Sequence, residues 1–149
     1  ELDNYIRHQA SQDVKRHLAV VSVMVRNDDP QRVVGYYTLS SRHLRLDQLP
    51  NEAAKKLGRY KSVGVTLLGR MAVDASLQGR GIGELILLEA LHKSQRAAQN
   101  VASVAVFVEA KDDRAAAFYR KYGFLELPED RRKLFLPMKT IAKIFPQFK

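Results

Sequence analysis

Apolar positions recur at helical spacing from the start of the chain: Leu2, Tyr5, Ile6 and Ala10 fall on one stripe, which predicts a helix over Leu2–Asp13. The period then changes. Leu18–Val25 (LAVVSVMV) is a β-branched run of strand length, Asp28-Asp29-Pro30 is a turn signal, and Val33–Ser40 (VVGYYTLS) reads as the partner strand of a hairpin. Ser41–Gly58 is polar, with a short helix expected at Glu52–Lys56 after Pro50. Val65–Val73 is a long apolar strand, and Asp74–Gln78 is a loop. Gly81–Gln99 is a long helix whose first half is apolar almost all round, the pattern of a helix packed on two sides. Ser103–Glu109 has the pattern of a buried strand, Asp113–Tyr122 is a helix closed by Gly123, and Leu134–Leu136 sits in a last short strand. Helix, two strands, strand, helix, strand, helix, strand is the order of an α/β or α+β domain built on a mixed sheet. No repeat, low-complexity tract or linker divides it, so one domain over residues 1–149 is expected. Helical periodicity is already running at Glu1, which is not Met; a processed or trimmed N-terminus is the expectation.

Composition narrows the chemistry. Zero cysteines exclude a disulfide scaffold, a cysteine zinc site and a thiol nucleophile, and fit a reducing cytoplasm. No apolar run approaches the roughly 20 residues that span a bilayer, and there is no signal-peptide pattern. Twenty-five Lys and Arg against 16 Asp and Glu give a formal charge of +9. Such a surplus fits a polyanionic partner or a phosphorylated cofactor, and equally a solvated basic surface.

Two stretches carry more information than the rest. In Met71–Gly83 (MAVDASLQGRGIG) a strand runs into a loop, and Gln78-Gly79-Arg80-Gly81-Ile82-Gly83 opens the long helix. Glycines let a backbone approach a ligand closely, and first-turn N–H groups lack intrahelical partners, so a helix start of this kind suits a pyrophosphate. A plain structural turn is the alternative. The spacing is neither a Walker A loop nor the full G-x-G-x-x-G fingerprint. In Ala110–Phe124 (AKDDRAAAFYRKYGF) a strand ends, an acidic cap starts a short helix, and Phe118-Tyr119 precede Lys121-Tyr122-Gly123-Phe124.

Taken together, these stretches resemble the GNAT superfamily of N-acetyltransferases over about Val65–Phe124, with the preceding hairpin matching in arrangement. Leu2–Ala10 with Gln12-Asp13, Leu67–Asp74 (LLGRMAVD) and Leu134–Met138 (LFLPM) look, more narrowly, like the TacT/AtaT type of GNAT toxin. The resemblance implies a GNAT fold, with a central mixed sheet flanked by helices and a strand that normally precedes the first helix missing here. It also implies acetyl-CoA as co-substrate, with Gln78, Gly79, Arg80, Gly81, Ile82 and Gly83 at its pyrophosphate. Met71, Ala72 and Val73 would lie along its pantetheine, Asp112 and Ala115 at further coenzyme contacts, and Tyr119 near the thioester sulfur. Many members carry Asn where this chain has Asp112. Toxins of this type acetylate the α-amine of an aminoacyl-tRNA, block translation in the cytoplasm, and are held inactive by a ribbon-helix-helix antitoxin; a homodimer is expected, and no membrane or metal.

The chemistry is consistent from first principles. A free α-amine titrates near pH 8 or below, so much of it is already neutral and a strong general base is dispensable. The leaving thiolate benefits from a positioned donor, the role expected of Tyr119, and amides near Ala72 and Val73 are the expected oxyanion donors. On residues alone, Tyr119 reads as a core aromatic, with Phe118 and Tyr122 as its neighbours, before it reads as a catalytic group. His8, His17, His43 and His92 lack metal-ligand spacing, no G-x-S-x-G elbow exists, and Glu109 reads as a structural carboxylate before a base. Residues 111–149 hold ten Lys and Arg against five acids. Given the polyanionic substrate that the resemblance implies, Arg70, Lys111, Arg114, Arg120, Lys121, Arg131, Arg132 and Lys133 are the expected tRNA contacts, recognising shape and phosphate before base sequence. Two other readings stay open: acetylation of a small-molecule amine or a protein N-terminus, and a non-enzymatic nucleic-acid module on the same fold.

Overall fold

In the computed structural model, which describes residues 2–145, the chain runs α1 (Leu2–His8), α2 (Ala10–Lys15), β1 (Val20–Arg26), β2 (Asp29–Arg45), α3 (Asn51–Lys55), β3 (Ser62–Val73), α4 (Ile82–Ala98), β4 (Ala105–Glu109), α5 (Asp113–Lys121), β5 (Leu125–Leu127), β6 (Asp130–Pro137) and α6 (Met138–Ile144). The strands form one sheet in the order β1-β2-β3-β4-β6-β5, the mixed α/β arrangement expected. The chain divides into two compact units: residues up to Ser40 with Leu68–Leu91, and Ser41–Leu67 with the residues from His92 onward.

In the first unit the expected N-terminal helix is broken at Gln9, whose φ of −125° leaves the helical range. Two helices result, and the break lets them fold around one side chain. Tyr5 is buried, stacks on Tyr36 with ring centroids 6.0 Å apart, and donates from its hydroxyl to Asp13 Oδ2 at 2.7 Å. Helix α2 then closes on His17, at φ 58°, with Leu18 N–H bonded to the Asp13 carbonyl and His17 N–H to the Val14 carbonyl. That is a left-handed C-terminal cap made without glycine. It takes Leu18 out of the expected strand, which starts at Val20.

Strand β2 departs most from expectation. The hairpin turn is Asn27-Asp28, so Asp29 and Pro30 already belong to β2, and the strand continues through polar Ser40–His43 to Arg45. Val34 to Leu39 are buried at every position, as in a strand covered on both faces. Against β1 the register slips between Met24↔Gly35 and Val25↔Val33, so Val34 is bulged. Its carbonyl accepts the Asp74 N–H at 2.8 Å, tying the bulge to the end of β3. Beside it Gly35 meets a tight approach. A Cβ there would stand 2.9 Å from the Ala72 carbonyl oxygen and collide with Ile86 Cδ1 on α4. The Ile86 methyl can swing aside; the strand carbonyl cannot. Gly35→Ala should therefore lower stability by about 1–3 kcal/mol, read as a shift in denaturant midpoint.

In the second unit the core is Leu44, Leu49, Val65, Ala105, Phe107, Leu127 and Phe135. Phe107 pairs with Phe135 across the antiparallel β4–β6 ladder, and Leu125–Leu127 adds a short edge strand absent from the sequence pattern. Pro137 then turns the chain into α6, also unanticipated, with Ile141 fully buried. Helix α4 passes through both units. It buries Ile86, Leu87, Ala90 and Leu91 but leaves Leu85 56% exposed, so packing does not extend all round its first half as expected.

Candidate active site

The turn between β3 and α4 is ordered from its first residue. The Asp74 carboxylate accepts the Ser76 N–H and the Ser76 hydroxyl, each at 2.9 Å, and Arg32 bonds it at 3.3 Å. The Ser76 N–H, its hydroxyl and then Arg32 hold the Asp74 carboxyl below its ordinary range. Gln78 Nε2 reaches back to the Val73 carbonyl at 3.3 Å. Gly79 at φ 84° and Gly81 at φ 79° sit in the left-handed region, and nothing lies within 4 Å of where their Cβ atoms would be. Here glycine is required by backbone conformation and not by crowding. Leu85 N–H bonds the Gly81 carbonyl at 3.2 Å, so Gly81 is the residue from which α4 starts. The preceding first-turn amides have no carbonyl within the helix to bond, and α4 is long enough to carry a positive N-terminal end. Arg80 is exposed, while Met71, Ala72 and Val73 are half-buried at the end of β3. These groups, all in the first unit, are of the kind that accepts an anionic, phosphate-bearing ligand with an extended chain.

Arg70 lies in the same unit. Its N–H donates to Thr38 Oγ1 at 2.9 Å, and its guanidinium carbon lies 4.2 Å from the Tyr5 ring centroid. Two of the three separate sequence motifs, Leu2–Asp13 and Leu67–Asp74, are thus in contact: Asp13 holds Tyr5, and Tyr5 holds Arg70.

In the second unit the Asp112 side chain accepts Ala115 N–H at 2.8 Å, capping α5. The two residues expected at the coenzyme are here bonded to each other. Gly123, at φ 94°, ends the helix, with Gly123 N–H on the Arg120 carbonyl. Tyr119 lies on the buried face of α5 with Ala116, its ring 5.5 Å from Phe118 and 5.2 Å from Phe124. Its hydroxyl makes no hydrogen bond among the described residues, and burial alone pushes its pKa up to about 12. The phenol is therefore a protonated donor at neutral pH. Glu109 is paired with Arg42 at 3.2 Å, and that guanidinium also covers the Phe107 ring. This matches the structural reading of Glu109.

The basic residues after position 110 are less free than their count suggested. Arg120 and Arg131 share Glu126, at 2.8 and 3.5 Å; Arg132 bonds Asp113 at 3.1 Å; and Lys133 lies 4.0 Å from Asp130. Lys111 and Arg114 have no acidic partner among the described residues, and the Lys121 ammonium lies 5.6 Å from the Tyr122 ring centroid. The pairing could not be read from the sequence because it depends on the β5–β6 hairpin. Among the described residues no group of three or more His, Asp or Glu stands where it could hold a metal ion, and no helix is long and apolar enough to cross a membrane.

Tyr5, Tyr37 and Tyr119 are all raised to about 12, chiefly by burial, with Asp13 and Glu89 adding to it for the first two. A raised phenol pKa means the folded chain holds a proton that the unfolded chain releases near pH 10. Stability should be insensitive to these groups below about pH 10 and fall as pH rises from there toward 12. Denaturant melts across that range, followed beside tyrosinate absorbance, check the window.

The family model described as an acetyltransferase (GNAT) domain matches residues 20–126. The chain is 34% identical over 138 residues to the tRNA-acetylating toxin of Mycobacterium tuberculosis (strain ATCC 25618 / H37Rv), covering 93% of this chain and 80% of that protein. Among solved structures it is similar to AtaT complexed with acetyl-methionyl-tRNAfMet, with a TM-score of 0.89 and 30% identity over 97% of this chain and 85% of that one. It is also similar to a tyrosine-to-phenylalanine AtaT variant bound to the C-terminus of the antitoxin AtaR and acetyl-CoA, with a TM-score of 0.79 and 27% identity over 95% and 81% of the two chains.

Proposed function

The chain belongs to the GNAT acetyltransferase family, and from that premise we propose that it transfers the acetyl group of acetyl-CoA to the α-amine of an aminoacyl-tRNA and so blocks translation. The observation that carries this reading is the 34% identity to a tRNA-acetylating toxin across 93% of the chain. The site geometry supports it. Gly79 and Gly81 in left-handed conformation at the start of a 17-residue helix fit a pyrophosphate, for which Gln78, Arg80, Ile82 and Gly83 complete the turn. Met71, Ala72 and Val73 take the pantetheine arm, and Asp112 and Ala115 complete the coenzyme set. Acetyl-CoA supplies the activated acyl group, a thioester whose leaving sulfur needs its charge settled. Tyr119, protonated and without a hydrogen-bond partner among the described residues, donates to that sulfur.

Arg70, Lys111, Arg114, Arg120, Lys121, Arg131, Arg132 and Lys133 serve the tRNA backbone, where phosphate contacts fix position and not sequence. The 149 residues act as one acetyltransferase domain in the cytoplasm, as a homodimer, and a ribbon-helix-helix antitoxin holds the activity in check. AtaT in complex with its antitoxin's C-terminus is the parallel for such control.

Expression of the chain in a bacterial host should stop protein synthesis, and co-expression of its antitoxin should restore it. Normal growth while folded, acetyl-CoA-binding protein accumulates would contradict the proposal. Salt separates the substrate classes: acetylation of tRNA should fall steeply as salt rises, whereas activity on a small amine should not.

A further inference from the structure

The phosphate-contact reading assigns Arg132 to the substrate, yet in the structure its Nε bonds the Asp113 carboxylate at 3.1 Å. The backbone around it is fixed. Arg132 N–H donates to Asp130 Oδ1 at 3.0 Å, and Ala110 N–H bonds the Arg132 carbonyl at 2.7 Å. A cleft of about 570 Å³ opens here, lined by Glu109, Ala110, Asp113 and the run Asp130 to Lys133. Of the carboxylates that hold arginines in this region, Glu109, on Arg42, has a side chain 43% exposed. Glu126, holding Arg120 and Arg131, has a side chain 27% exposed, whereas that of Asp113 is 89% exposed.

A guanidinium fork meets a carboxylate and a phosphate by the same geometry, so one anion can replace the other. An exposed pair of this kind is worth only about 0–1 kcal/mol, which leaves it open to displacement by a polyanion. We propose that Asp113 is an internal stand-in for phosphate: it holds Arg132 in place until a phosphodiester of the RNA takes the guanidinium over, and it thereby sets how tightly RNA is held. The proposal rests on the tRNA reading above and adds to it a carboxylate that sets affinity. Asp113 acts through Arg132 and so is a positioning residue. It occupies the guanidinium, so an incoming phosphate must displace the carboxylate before Arg132 can bind it.

The test is binding of unfractionated tRNA to the full chain, measured against salt, with acetyl-CoA affinity and thermal midpoint as controls for folding. Asp113→Asn should tighten tRNA binding roughly fivefold near 0.1 M salt, with the gain shrinking as salt screens it. Arg132→Gln should weaken binding and lower the slope of log affinity against log salt by about 1. In the Arg132→Gln background, Asp113→Asn should give almost no gain. Asp28→Asn, which makes the same change in net charge where Asp28 pairs with Arg26, should leave affinity unchanged. An Asp113→Asn gain that persists without Arg132, or that Asp28→Asn reproduces, overturns the proposal in favour of net charge alone. No effect of Asp113→Asn on a wild-type chain that binds tRNA overturns it while leaving the tRNA reading intact. A wild-type chain that binds acetyl-CoA but no tRNA overturns both.

Discussion

Tyr119→Phe should cut acetyl transfer by roughly a hundredfold or more while leaving the fold and acetyl-CoA binding in place. The substitution removes one oxygen from a ring that packs against Phe118 and Phe124, so the aromatic contacts persist. The lost hydroxyl makes no hydrogen bond among the described residues, so no buried partner is stranded and stability should hold or rise slightly. What disappears is the donor. With its pKa near 12, the phenol stays protonated throughout the range in which the substrate amine loses its proton. The wild-type rate should therefore climb with pH as the amine becomes neutral, around pH 8 or below, with no downturn from Tyr119 before about pH 10. A Tyr119→Phe enzyme that keeps wild-type kcat would remove the residue from the chemistry and return it to the core.

The second large effect concerns the turn between β3 and α4, proposed to bind the coenzyme. Gly79 and Gly81 sit at φ 84° and 79° with open space where a Cβ would project, so alanine there meets no clash but resists the backbone conformation. Each replacement should cost about 1–2 kcal/mol in that conformation. Gly79→Ala combined with Gly81→Ala would disfavour the turn by about 2–4 kcal/mol, and ligand affinity falls with the fraction of competent turn. Acetyl-CoA binding, measured by calorimetry, should weaken by roughly 30-fold to several hundredfold. Global stability should change less, because the turn is exposed and a strained loop can relax locally. Unchanged acetyl-CoA affinity in the double variant would mean that the pyrophosphate lies elsewhere.

Where local signals were strong, sequence and structure agree. Asp112 before an alanine-rich run and Gly123 after it read as a cap and a stop, and both serve those roles around α5. The glycine spacing at Gln78–Gly83 was equally readable, because two left-handed residues leave few alternatives. Long-range pairing was not legible. Ser41 to His43 have no strand propensity to speak of, yet they extend β2 beyond Ser40, and there Arg42 packs over Phe107. Leu125–Leu127 is too short to show a period, and the crowding at Gly35 comes from Ala72 and Ile86, both remote in sequence. The carboxylate partners of Arg120, Arg131 and Arg132 come from α5 and the β5–β6 hairpin, so a charge count along the chain overstated the cations available to a substrate.

The central claim is that the accepting group is the α-amine of an amino acid carried on tRNA. Incubating the purified chain with labelled acetyl-CoA and a full set of charged tRNAs, then analysing the aminoacyl ends by mass spectrometry, tests it directly. Acetyl is expected on the α-amine of at least one aminoacyl-tRNA, and is abolished in Tyr119→Phe. Charged tRNAs left entirely unmodified by a chain that binds acetyl-CoA and acetylates a free amine would contradict it.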